Sequence, residues 1–121
     1  MMSQVYRAAI VCGCLVAAAG WLVPTQRVSA TTGDASKGKS IYQSKCVTCH
    51  GPEGKGDGPV GKKLKPPAGN FSSTESKKKP ASELQEIIEN GKPKTAMKAW
   101  KGKLNENEMQ DVLAYVLTLR K

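Results

Sequence analysis

The chain has 121 residues and a formal net charge of +9, from 19 Lys and Arg against 10 Asp and Glu. It holds 1 histidine, which excludes a two-histidine metal site and an acid–base histidine beside a histidine ligand. With 2 Trp, 3 Tyr and 1 Phe a large aromatic core is excluded too, and the length suits one domain.

Residues 1–30 read as a signal peptide. Arg7 is followed by an uncharged, mostly apolar run from Ala8 to Val23, then Pro24 and the small-residue end Val28-Ser29-Ala30, which fits a cleavage site. The run falls short of the roughly 20 residues that a membrane span needs. Cleavage after Ala30 is the expectation, with an uncleaved anchor as its rival. Cys12 and Cys14 lie too close to Arg7 for a lipoprotein site and are read as discarded with the leader. The domain is then 31–121. It loses Arg7 and Arg27 but none of the acids, and stays strongly basic. Its large apolar residues are few, and chains of this size often need a staple, a metal or a cofactor.

Three helical stretches and two long loops are predicted in chain order. Asp34 can cap a helix from Ala35 to Val47, with Gly38 and Tyr42 on one face. The segment 51–69, rich in Gly, Lys and Pro, suits neither a core strand nor a long helix. Pro80 suits the first turn of a second helix with Leu84, Ile87 and Ile88 buried, and Gly91 is a natural stop. Asn105 and Glu108 spell a capping box for the last helix. Met109, Val112, Leu113, Val116 and Leu119 line one side of it, and Tyr115 lies on a neighbouring stripe. No alternating strand pattern is present, so the fold class is all-α.

The informative motif is Cys46-Val47-Thr48-Cys49-His50. C-x-x-C-H is the attachment pattern of c-type haem. Residues three and four apart share a helix face. Cys46 and Cys49 can therefore both reach the vinyl groups of a porphyrin, while His50 reaches the iron. A structural zinc site needs four ligands, and a thioredoxin-like pair needs a βαβ context; neither is available here.

His50 is the only histidine, so a sixth iron ligand must be another residue type. Met109 falls on the apolar stripe of the last helix. Met97 lies in a loop that can fold back over the haem, and it is the expected ligand. A loop methionine packed on an apolar surface, lysine ligation and an open site are the other readings. A His/Met pair raises the potential, which favours a carrier near the high-potential end of a respiratory chain. The orienting bond to His50 is expected from the carbonyl of Pro59 or of Pro66.

These motifs resemble the mono-haem class I c-type cytochromes of the small soluble bacterial type, from about Asp34 to Arg120. Asp34-Ala35-Ser36-Lys37-Gly38-Lys39 with Tyr42 is similar to the first helix of that family, and Gly51 to Pro59 to its glycine-rich loop. Ala96-Met97-Lys98-Ala99-Trp100 resembles its ligand-methionine loop, although Lys98 stands where many members have Pro. Val112-Leu113-Ala114-Tyr115-Val116 resembles its last helix. The resemblance implies three to four helices and long loops wrapped around one covalently attached haem c. It implies a contact among Gly38, Tyr42 and Tyr115, and haem attachment outside the cytoplasmic membrane, in the periplasm or an equivalent compartment.

Two further features of the sequence bear on function. Gly56 to Lys63 nearly spells a phosphate loop, but Lys63 stands where a hydroxyl is required and no strand precedes it. Between Glu89 and Glu106 there is no acid, but there are Lys92, Lys94, Lys98, Lys101 and Lys103, with Lys62, Lys63 and Lys65 on the other loop. They read as a docking surface for an acidic redox partner, against ordinary solubilising charge. Nucleic-acid binding is set aside. The expected function is electron transfer by a monomer that is not itself an enzyme and meets membranes only through partners or an uncleaved leader. The alternative is a haem-based module that binds or senses a small ligand, with a labile sixth ligand.

Overall fold

The computed structural model describes residues 33–121; the expected leader, with Cys12 and Cys14, lies outside the described residues. Five α-helices follow in order: α1 (Ala35–Lys45), α2 (Val47–His50), α3 (Thr74–Lys78), α4 (Ala81–Asn90) and α5 (Glu106–Thr118), with a 3-10 turn at Gly61–Lys63. Among the described residues there is no strand, only an isolated bridge between Lys101 and Leu104. The all-α expectation holds. Among these residues no helix is long and apolar enough to cross a membrane.

Local chemistry explains where the helices begin. Asp34 Oδ1 accepts from the amides of Ser36 (2.8 Å) and Lys37 (3.2 Å), two donors that a helix start leaves unpaired. Asn105 Oδ1 accepts from the Glu108 amide at 2.9 Å and a Glu108 carboxylate oxygen accepts from the Asn105 amide at 2.8 Å, closing the expected capping box. Pro80 precedes α4 as its cap rather than lying in its first turn, and Gly91 ends α4 at φ 76°.

Three expectations are corrected. The first helix does not run unbroken to Val47. It ends at Lys45, and Cys46 (φ −113°, ψ −31°) re-tilts the chain, so that the last turn carries its own short helix. The short α3 was not expected; the Ser73 side chain starts it by accepting from the Ser76 amide. Together these raise the helix count above three to four. Ile87 is half-buried, so Leu84 and Ile88 alone carry the buried face of α4.

The core is Tyr42, Leu84, Ile88, Leu104, Met109, Val112 and Val116. Its centre is the packing of α1 on α5, and α4 also packs on α5. A Cβ on Gly38 would strike the carbonyl of Asp111, so only glycine allows α1 and α5 to meet this closely. Beside it, Tyr42 meets Tyr115 edge to face, with centroids 5.2 Å apart and planes at 61°. The Tyr42 hydroxyl donates to the carbonyl of Gly51 at 2.6 Å, which ties the crossing to the end of α2. The Asp34 amide donates to an Asp111 carboxylate oxygen at 2.6 Å and closes the other end of the same crossing.

Candidate haem site

The α2 turn brings Cys46, Cys49 and His50 together. The amides of Cys49 and His50 both donate to the Cys46 carbonyl, at 3.2 and 2.9 Å, so the three side chains leave one helical turn. Both cysteines are free thiols and half-buried. Burial pushes the Cys46 thiol up to about 11, and neighbouring Cys49 adds to this against the opposing pull of Lys45.

The glycine-rich loop has a specific task. A helix of one turn leaves its last carbonyls unpaired. The amides of Val60, Gly58 and Gly56 supply the missing donors, to the carbonyls of Thr48 (3.0 Å), Cys49 (3.2 Å) and His50 (2.8 Å). The loop must lie flat against α2 to do so. A Cβ on Gly58 would come within 2.6 Å of the Val47 carbonyl oxygen, closer than side chains tolerate. Residues 51–61 thus form a backbone cradle that holds α2 without a hydrophobic core of its own.

His50 is gripped from two sides. Its Nδ1 lies 3.2 Å from the carbonyl of Gly69. Neither Pro59 nor Pro66 supplies this bond, because the loop continues past both before it returns to the imidazole. Phe71 stacks on the ring, with centroids 4.7 Å apart and planes at 19°. Burial lowers the His50 pKa from its ordinary value, and the bond to Gly69 opposes this. Burial thus favours the neutral imidazole, the form that binds metal. Gly69 and Phe71 were not anticipated. The only signal for them is a phenylalanine after a Pro/Gly stretch, which spacing along the chain does not link to His50.

Met97 comes from the loop that joins α4 to α5. The loop is pinned at its base: the amides of Trp100 and Lys101 donate to the carbonyls of Ile88 (2.9 Å) and Glu89 (3.1 Å). The Lys92 amide donates to the carbonyl of Met97 at 3.0 Å, and the Met97 amide to Thr95 Oγ1 at 3.2 Å. Met97 itself is half-buried.

Among the described residues no three His, Cys, Asp or Glu side chains converge on a bare metal ion. This disfavours a zinc reading of the cysteine pair. A haem fits the donor set better, with two free thiols and one oriented imidazole on the same helical turn and a thioether on a fixed loop. Around these donors α2 packs on α1 and the 3-10 turn, α4 packs on α5, and α2 and α4 do not meet. Leu64, Ile87 and Met97 are apolar yet half-exposed, and a macrocycle would give them a surface to cover.

Residues 33–116 match the family described as cytochrome c oxidase, cbb3-type, subunit III. The chain belongs to this family of c-type cytochrome domains. Membership brings covalently bound haem c and haem-based electron transfer in general. A chain of the Kuenenia stuttgartiensis reducing HAO-like protein complex shares the fold of this cytochrome domain, with a TM-score of 0.63 and 24% identity. The likeness covers 73% of this chain and 43% of that one, so the cytochrome domain spans less than half of its neighbour. No curated protein matches the chain.

Proposed function

We propose that this cytochrome domain is a one-electron carrier holding one haem c, attached through Cys46 and Cys49, with His50 and Met97 as axial ligands. The observation that carries the reading is the bond at 3.2 Å between His50 Nδ1 and Gly69, which leaves Nε2 to bind iron one helical turn from two free thiols. Bound haem supplies the reversible one-electron chemistry. The protein's own residues hold, orient and shield it. Gly69 and the cradle of residues 51–61 set the direction of the imidazole. The pinned loop delivers a soft thioether from Met97, a ligand choice that raises the potential and suits the high-potential part of a respiratory chain.

His50 is the sole histidine, so none remains for acid–base work beside the iron. This supports a carrier over an enzyme. The leader supports a periplasmic or equivalent location, and any contact with membranes runs through partners or an uncleaved leader. Lys92, Lys94, Lys98, Lys101 and Lys103 are all exposed, which supports docking of a monomer to an acidic redox partner. Nucleic acid is not among the proposed partners.

Two measurements test the reading. Replacing both Cys46 and Cys49 by Ala should abolish haem staining on denaturing gels and leave a poorly folded chain; persistent staining would refute the attachment. Carbon monoxide should bind the reduced protein poorly, because Met97 occupies the sixth position. Rapid, tight binding would favour a small-ligand module instead.

A further inference from the structure

We propose that Phe71 is a positioning residue for His50, setting the plane of the imidazole and keeping water from its face, and thereby raising the potential of the haem. The inference rests on the reading of His50 as an axial ligand. A single hydrogen bond at Nδ1 fixes where the ring edge points but leaves the ring free to rotate about that bond. A second contact, on the face, removes this freedom. Phe71 makes it, lying at 19° to the imidazole with centroids 4.7 Å apart. The segment Gly69-Asn70-Phe71 thus holds the imidazole by edge and by face.

The segment is itself anchored. The Phe71 amide donates to the carbonyl of Gly54 at 2.7 Å, which joins it to the cradle around α2. Ser72 Oγ donates to the carbonyl of Leu119 at 3.2 Å. The Arg120 guanidinium donates to the carbonyls of Ser76 and Lys79. Leu119 and Arg120, just past the end of α5, therefore hold both the residue after Phe71 and the C-terminal part of α3. Phe71 is half-buried and packs against the edge of the core and over Gly54, and it also lies face to face with the imidazole. That stacked face covers the imidazole. An apolar shell around a metal ligand controls solvent access, local dielectric and so the potential. A dry ring face disfavours the extra positive charge of the oxidised state, so removing it should lower the potential.

The test compares Phe71→Leu, Phe71→Met and Phe71→Tyr with the unsubstituted holoprotein by redox titration, by electron paramagnetic resonance of the oxidised form and by thermal melting. The Leu and Met variants should lower the midpoint potential. At a fixed applied potential the ratio of reduced to oxidised protein should fall by up to about tenfold, which is about 59 mV for one electron. Their g-values, which report ligand-plane orientation, should move as well. Phe71→Tyr, which keeps the flat ring, should restore both. The Met variant keeps an apolar filler of similar size and provides the measurement if the Leu variant does not retain haem. Unchanged potential and g-values with only a lower melting temperature would make Phe71 mere packing, and failure of Phe71→Tyr to restore them would overturn the inference. His50→Ala runs alongside. If it keeps the original low-spin spectrum, the ligand reading fails; if it loses that spectrum while Phe71→Met changes nothing, only the inference about Phe71 fails.

Discussion

Met97 and Met109 carry the same side chain into opposite surroundings. Met109 is 5% exposed and packs in the core beside Val112. Met97 is half-buried on a loop without helical structure. Lys98 follows it where proline would have stiffened the chain, and hydrogen bonds take over that task, from Lys92 to the Met97 carbonyl and from Trp100 to the Ile88 carbonyl. Met97→Ala should lower the potential, open the sixth position and remove the sulfur–iron charge-transfer band of the oxidised form. Met109→Ala should keep that band and cost stability, on the order of 2–5 kcal/mol for a buried methionine. Absorption spectra and denaturant melts of both variants check this, and the reverse pattern would exchange the two roles.

Among the elements, α1 and α5 depend on each other more than on their own propensities. The one fully buried side chain of α1 is Tyr42, and Gly38 admits the backbone of α5 at Asp111. Gly38→Ala would improve an isolated helix, yet here its methyl has nowhere to go. Overpacking of this kind costs about 1–3 kcal/mol, so a denaturant melt should show loss rather than gain. Asn105→Ala removes the capping box of α5 while leaving this contact alone, and should cost about 1 kcal/mol. A stabilising Gly38→Ala would mean that the helices can separate without penalty.

At the scale of the whole molecule, the basic surface is what a partner would meet. The lysines that flank Met97 are exposed and have no acid among them along the chain from Lys92 to Lys103. Lys98→Glu with Lys101→Glu should slow electron transfer to an acidic partner at low salt. The slowing should shrink as salt rises, because screening acts over about 10 Å at 0.1 M. The same reversal at Lys77 and Lys78 on α3 is the control. Stopped-flow rates at two ionic strengths decide the matter: equal slowing by both pairs would point to net charge, and no slowing by either would leave the lysines as solubilising surface.

Local patterns were legible in the sequence because short-range chemistry alone determines them. C-x-x-C-H needs only one helical turn to bring its side chains together, and the cap of Asp34, the box of Asn105 and Glu108, and the stop at Gly91 each act within four residues. The contact of Gly38 with α5 came from family likeness, since nothing local says which backbone will fill the missing Cβ. The tertiary structure alone decided which carbonyl orients His50. Gly69 is 19 residues away, and the path of the loop between them follows from three amides seeking the open carbonyls of α2, a long-range match with no periodicity to read. Phe71 was hidden for the same reason, because stacking on an imidazole depends on where a loop returns. The short α3, started by the local Ser73 cap, is also held from a distance by Arg120. The sequence by itself determined the chemistry the chain can carry, through which donors it holds and how they are spaced. The folded chain determined how those donors are aimed, because aim depends on backbone groups far apart along the chain that only the tertiary structure brings together.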